Sequence, residues 1–134
     1  MKKITPSKED YLKTLLILSL YDTEILSKDV SAVLGVTKAS VSRMMGILKS
    51  EGYISMEKYG TATLTEKGKM TADSIKLKYD ILKAFLIDVL GVDSKTAEQD
   101  ACRLEHVVSD ETMSCVFREV KEMSDLRRRS HAAI

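Results

Sequence analysis

Residues 27–50 constrain this chain more than any other stretch. After Ser27, the run Lys28 to Leu34 places Val30, Val33 and Leu34 on one side; Gly35-Val36-Thr37 is turn chemistry; Lys38 to Ser50 then repeats the pattern with Val41, Met44, Met45 and Leu48. That spacing predicts two short helices joined by a glycine-bearing turn, with Ser27 capping the first. Helices this short can bury their apolar stripes only against neighbouring elements, and the pair is a helix-turn-helix pattern. Residues 53–57 and 61–65 alternate in strand fashion around Lys58-Tyr59-Gly60, which predicts a hairpin or wing.

The flanks read as helix. Thr5-Pro6 is a capping hydroxyl followed by proline, so a helix is expected from there to about Tyr21, with Tyr11, Leu12, Leu15 and Leu16 apolar; Ile25-Leu26 is a stub of strand. Thr65 opens a long helix expected to reach Leu90 and close at Gly91. Asp93 or Ser94 caps a helix to about Val107, and Ser109 starts another ending near Met123, with the remaining tail frayed. The fold class is therefore mainly α: a winged helix-turn-helix over 1–64, then a helical half over 65–134 that sets dimer geometry.

A hydrophobic fraction of 44% in 134 residues supports a packed core. The net charge of +1 hides an asymmetry: residues 1–90 carry +3, residues 91–126 carry −5, and Arg127-Arg128-Arg129 restores +3. A basic front and an acidic rear fit DNA contact at one end and cation capture at the other. Two cysteines make no disulfide framework. The start Met1-Lys2-Lys3-Ile4-Thr5-Pro6 lacks a signal-peptide core, and the longest apolar run, Leu15 to Leu18, cannot cross a bilayer. The expectation is a cytoplasmic protein with no membrane partner.

Cys102, Glu105 and His106 stand at i, i+3 and i+4, so on a helix a thiolate, a carboxylate and an imidazole share one face. Such heads can converge on one transition-metal ion, and a fourth ligand is expected from elsewhere, with Asp10 a candidate by chemistry. In the second helix of the pair, Thr37, Ser40 and Ser42 can bond phosphates or bases, Arg43 can grip guanine, and Ala39 can touch a thymine methyl. Lys38 and Lys58 suit phosphate, and Ser27 and Tyr59 are counted with them as DNA-binding candidates. Glycine-rich phosphate loops, nucleophile elbows and a histidine placed as a second base are all missing from the sequence, so a metal-dependent enzyme with a small-molecule substrate is not expected. A winged-helix regulator blind to metal is the alternative.

Four motifs carry a family resemblance: Glu9-Asp10-Tyr11-Leu12, Val41-Ser42-Arg43-Met44, Leu64-Thr65-Glu66-Lys67-Gly68, and the string from Asp100 to Glu111. Through them the chain resembles the diphtheria-toxin-repressor/manganese-transport-regulator family over about residues 5–123. The resemblance implies a homodimeric winged-helix repressor that binds operator DNA and is activated by Fe(II) or Mn(II). It places Cys102, Glu105 and His106 on primary-site ligand positions of the iron branch, and Asp10 where the manganese branch has aspartate. Longer members add an SH3-like domain, which is not expected in this chain. Three positions depart from the family pattern: Tyr79 stands for a histidine and Lys83 for a glutamate of the ancillary site, and Lys13 for a glutamate on the first helix. Glu98 and Asp100 remain as oxygen donors for a weak second site. One principal ion per subunit is expected.

Overall fold

The computed structural model describes residues 6–22, 24–57 and 60–132. The expected cap Thr5 and the wing-tip residues Lys58 and Tyr59 lie outside the described residues. The chain divides into two compact units, Met1–Ile75 and Lys76–Ile134.

The first unit begins with α1 (Pro6–Ser19), followed by β1 (Ile25–Leu26), α2 (Ser27–Leu34), α3 (Lys38–Ser50), β2 (Ile54–Met56) and β3 (Thr61–Leu64). Leu12 and Leu15 of α1, Val30 of α2, and Val41 and Leu48 of α3 are fully buried in its core. Each contributes about 1.5–3 kcal/mol by leaving water. The sheet runs β1-β3-β2, antiparallel throughout. Ile54 pairs with Leu64, Ser55 with Thr63 and Met56 with Ala62, and the Ser55 and Thr63 hydroxyls meet at 2.7 Å.

Two expectations are corrected here. Ser27 does not cap α2: the cap position is Leu26, extended at φ −90° and ψ 139°, with no side-chain capping bond. Leu26 is paired with Thr61 in the sheet, so the strand feeds directly into the helix and Ser27 is already its first residue. Val33 is 60% exposed rather than inward. Only Val30 is fully buried on this eight-residue helix, with Leu34 four residues on packed against the same core. Gly35 closes α2 at φ 67°, a left-handed conformation that glycine adopts without a Cβ penalty.

Helix α4 (Glu66–Ala84) contributes Ala72 and Ile75 to the first core and Leu82 to a second. Its start is capped by Thr65, whose Oγ1 accepts from the Gly68 N–H at 3.1 Å and donates to the Gly52 carbonyl at 2.6 Å. The helix was expected to stay regular to Leu90. Instead the turn widens over Phe85–Val89 into a π-helical segment, with Leu90 N–H reaching the Phe85 carbonyl at 3.2 Å. Val92 N–H then reaches Leu86 O at 2.8 Å and Gly91 N–H reaches Ile87 O at 3.1 Å. This is a Schellman-like closure set one residue wider than on an α-helix.

The second unit adds α5 (Ser94–Leu104) and α6 (Asp110–Ala132). Asp93 caps α5, its Oδ2 accepting from Lys95 N–H at 3.1 Å. Helix α5 ends three residues earlier than expected. Past Leu104 the bonds tighten, with His106 N–H to Arg103 O at 3.4 Å and Val107 N–H to Leu104 O at 3.0 Å. The branched Val107 and Val108 disfavour further helix, and Ser109 restarts it by accepting from Thr112 N–H at 3.2 Å. Helix α6 overruns the expected end at Met123. Its buried stripe of Met113 and Val116 continues through half-buried Val120 and Met123, and Arg127 in the next turn reaches Asp88 at 3.4 Å. Arginine is also a good helix former. No helix among the described residues is long and apolar enough to cross a membrane.

Candidate metal centre and nucleic-acid face

Helix α5 buries Ala97 and Ala101 completely, so its backbone lies close to its neighbours in the second core. One residue past Ala101, half-buried Cys102 occupies the last turn of α5, Glu105 is the C-cap, and His106 follows in the turn. Cys102 Sγ and a Glu105 carboxylate oxygen lie within 4.8 Å of one another. His106 Nε2 lies 3.6 Å from Glu105 Oε1. Glu105 therefore has the thiol on one hand and the imidazole on the other, but His106 does not fall in the 4.8 Å donor group that holds Cys102 and Glu105, and only Cys102 is inside the regular helix.

Glu105 is the telling member. It is 2% exposed, and it ranks with leucines and valines among the largest fully buried side chains. Carboxylates are almost never buried this deeply without compensation, because desolvating the charge costs several kcal/mol. Beside it stand a thiol, which binds metals as thiolate, and an imidazole. That mixture of sulfur, oxygen and nitrogen donors matches the chemistry of a divalent transition ion.

Asp10 lies on α1 in the first unit and is half-buried. Of the second-site candidates, Glu98 and Asp100 are both exposed on α5 and two residues apart, a spacing that turns them to different faces of a helix. Glu98 Oε1 is taken by Lys83 Nζ of α4 at 3.2 Å. Lys83 is held above the ordinary lysine pKa, chiefly by its hydrogen bond to Glu98 and then by the charge of Glu98, with Tyr79 and Asp80 adding to it. This pairing across two helices leaves no periodic signature in the sequence, so sequence reasoning could list Lys83 but could not place it.

The proposed reader residues are displayed together. Lys38, Ala39, Ser40, Ser42 and Arg43 are exposed on α3, while Val41, Met45 and Leu48 turn inward. Thr37 is committed to capping: its Oγ1 accepts from Ser40 N–H at 3.1 Å and donates to Ser40 Oγ at 2.9 Å. Ser27 is half-buried at the start of α2. Ser7 and Tyr11 of α1, with Ser40 and Arg43 of α3, line a cleft of about 280 Å³. Burial raises the Tyr11 pKa above its usual value.

Comparison with known proteins bears on both regions. Residues 3–62 match the family model described as the iron-dependent repressor N-terminal DNA-binding domain. Residues 65–125 match the iron-dependent repressor metal-binding and dimerisation domain. An HTH-type transcriptional regulator of Methanocaldococcus jannaschii is 37% identical over 111 residues, covering 82% of this chain and 89% of that protein. The HTH-type transcriptional regulator MntR of Lysinibacillus sphaericus is 31% identical over 105 residues, covering 78% of this chain and 75% of its own length. Among solved structures, the manganese regulator SloR superposes with a TM-score of 0.76 at 31% identity over 88% of this chain. The chain spans 55% of the SloR chain, about half its length.

Proposed function

The chain belongs to the iron-dependent repressor family, the diphtheria-toxin-repressor/manganese-transport-regulator group of metal-dependent transcriptional repressors, and from that premise we propose that it is a cytoplasmic homodimeric repressor that senses Fe(II) or Mn(II) and controls metal-homeostasis genes. The family is one of transcriptional regulators, not enzymes. Residues 1–64 serve as the DNA-reading part and residues 65–134 as the metal-binding and dimerisation part. The observation that carries the reading is the depth of burial of Glu105 beside a thiol and an imidazole.

In this reading Asp10, Cys102, Glu105 and His106 hold one principal ion per subunit. The ion supplies positive charge that offsets the repulsion of Asp10, Glu105 and the Cys102 thiolate. The chain's own residues do the rest. Asp10 joins the donor set from α1, so ligation restrains a helix that shares its core with the reader α3. Cys102 and His106 present sulfur and nitrogen, which favour softer ions such as Fe(II), Co(II) or Zn(II), and the two carboxylates suit Mn(II), so availability in the cell decides between them. On the DNA side, Arg43, Ser42, Ser40 and Ala39 read base edges, while Lys38, Ser27, Lys58 and Tyr59 steady the backbone and the Thr37 hydroxyl holds the first turn of the reader helix in place. A dimer of such readers spans operator half-sites about 34 Å apart.

Fluorescence anisotropy with a duplex selected from a random library by the Mn(II)-loaded protein tests this. Coupling of about 1–3 kcal/mol predicts that Mn(II) or Fe(II) raises DNA affinity roughly 5–150-fold, and that affinity falls steeply with salt. Equal affinity in chelator and in metal would overturn the reading in favour of a metal-blind regulator.

A further inference from the structure

In the second unit, two carboxylates on α4 and α5 are already matched to lysines. Asp80 receives Lys76 Nζ at 2.7 Å, and Glu98 receives Lys83 Nζ at 3.2 Å. Asp80 stands three residues before Lys83 on α4, a spacing that puts both on one face of the helix, while Glu98 faces Lys83 from α5, so the ammonium has a carboxylate on either side. We infer that Lys83 is a resident cation: it fills the carboxylate-flanked position between α4 and α5 and thereby limits each subunit to one divalent ion. The inference rests on the metal reading given above and specifies its stoichiometry.

The physics is that of a tethered competitor. Lys83 and Glu98 are partly exposed, with side chains 34% and 49% accessible, so their pair adds little to folding stability. Occupancy is another matter. A charge attached to the neighbouring helix competes at an effective concentration on the order of millimolar, which a micromolar free ion must overcome. A second divalent ion arriving at Glu98 would also meet the ammonium's like charge at close range. Asp100 cannot rescue the site, because its spacing of two from Glu98 puts the two carboxylates on different faces of α5. Lys83 is thus a specificity-determining residue for ion count.

Anaerobic equilibrium dialysis against Mn(II) alone, with metal and protein quantified and circular dichroism recorded, tests it on the full chain. Wild type is expected to hold one ion per subunit. K83E, which sets a third carboxylate beside Asp80 and Glu98, is expected to hold two, the second more weakly; adding E98Q should return the count to one. K83Q removes the charge without adding another and stands in should K83E misfold; it is expected to take up the second ion at higher Mn(II). Two ions in wild type, or no second ion in either folded variant, would overturn the inference. No ion at all in wild type would instead remove the metal reading beneath it.

Discussion

Gly68→Ala is the substitution whose outcome the structure fixes most tightly. Gly68 is the third residue of α4 and ends the motif Leu64-Thr65-Glu66-Lys67-Gly68. Its backbone is ordinary helix, so space, not dihedral freedom, demands glycine. A Cβ there would fall 2.0 Å from the Tyr53 carbonyl oxygen, 2.9 Å from its carbon and 3.1 Å from Leu64 Cδ2. Elsewhere in a helix, alanine would stabilise by about 1 kcal/mol over glycine. Here the obstacle is backbone that must retreat by more than an ångström, and that same carbonyl accepts the Thr65 N–H at 3.0 Å. Overpacking costs typically 1–3 kcal/mol, and losing the strand-to-helix bond adds about 1 kcal/mol. The net expectation is destabilisation of about 1–3 kcal/mol after the propensity gain. Urea unfolding followed by circular dichroism measures it directly. A Gly68→Ala protein as stable as wild type, or more so, would refute the close approach of α4 to the start of β2.

Two further substitutions separate the halves of the account. Glu105→Gln removes a buried charge while keeping its shape, so the metal-free protein should melt no lower than wild type. It should lose the stabilisation that Mn(II) gives, about 2.7 kcal/mol at a hundredfold excess over Kd; thermal melts with and without Mn(II) report both, and an undiminished gain would count against Glu105 as a ligand. Arg43→Ala should weaken binding to the selected duplex by about 1–3 kcal/mol with unchanged Mn(II) uptake in dialysis; an unaltered DNA affinity would remove Arg43 from the reading face.

Local patterns carried much of the fold. The reader helix appears at Lys38–Ser50 as its apolar spacing predicts, and the wing strands pair where alternation placed them. The errors cluster where distant contacts decide. Ser27 has the chemistry of a cap, but the pairing of Leu26 with Thr61 extends the residue before it. Helix α6 outlasts its apolar stripe, with Arg127 reaching Asp88, a contact spanning 39 residues. The end of α4 widens into a π turn that no residue spacing announces. At the site, the offsets of Cys102, Glu105 and His106 were legible, yet two of the three fall beyond the regular helix that the spacing argument assumed. What the sequence concealed was the depth of Glu105 and the pairing of Lys83 with Glu98, both of which arise only when helices pack.

The most direct measurement is an anaerobic Co(II) titration in which thiolate-to-cobalt charge-transfer absorption and DNA anisotropy are followed together in wild type, Cys102→Ser and Asp10→Ala. The account predicts that absorption and DNA affinity rise in step in wild type and saturate at one cobalt per subunit. Cys102→Ser should lose the absorption, and Asp10→Ala should keep it while losing the DNA response. Full metal-dependent DNA binding by Asp10→Ala, or a wild-type protein that binds DNA with no charge-transfer band, would contradict it.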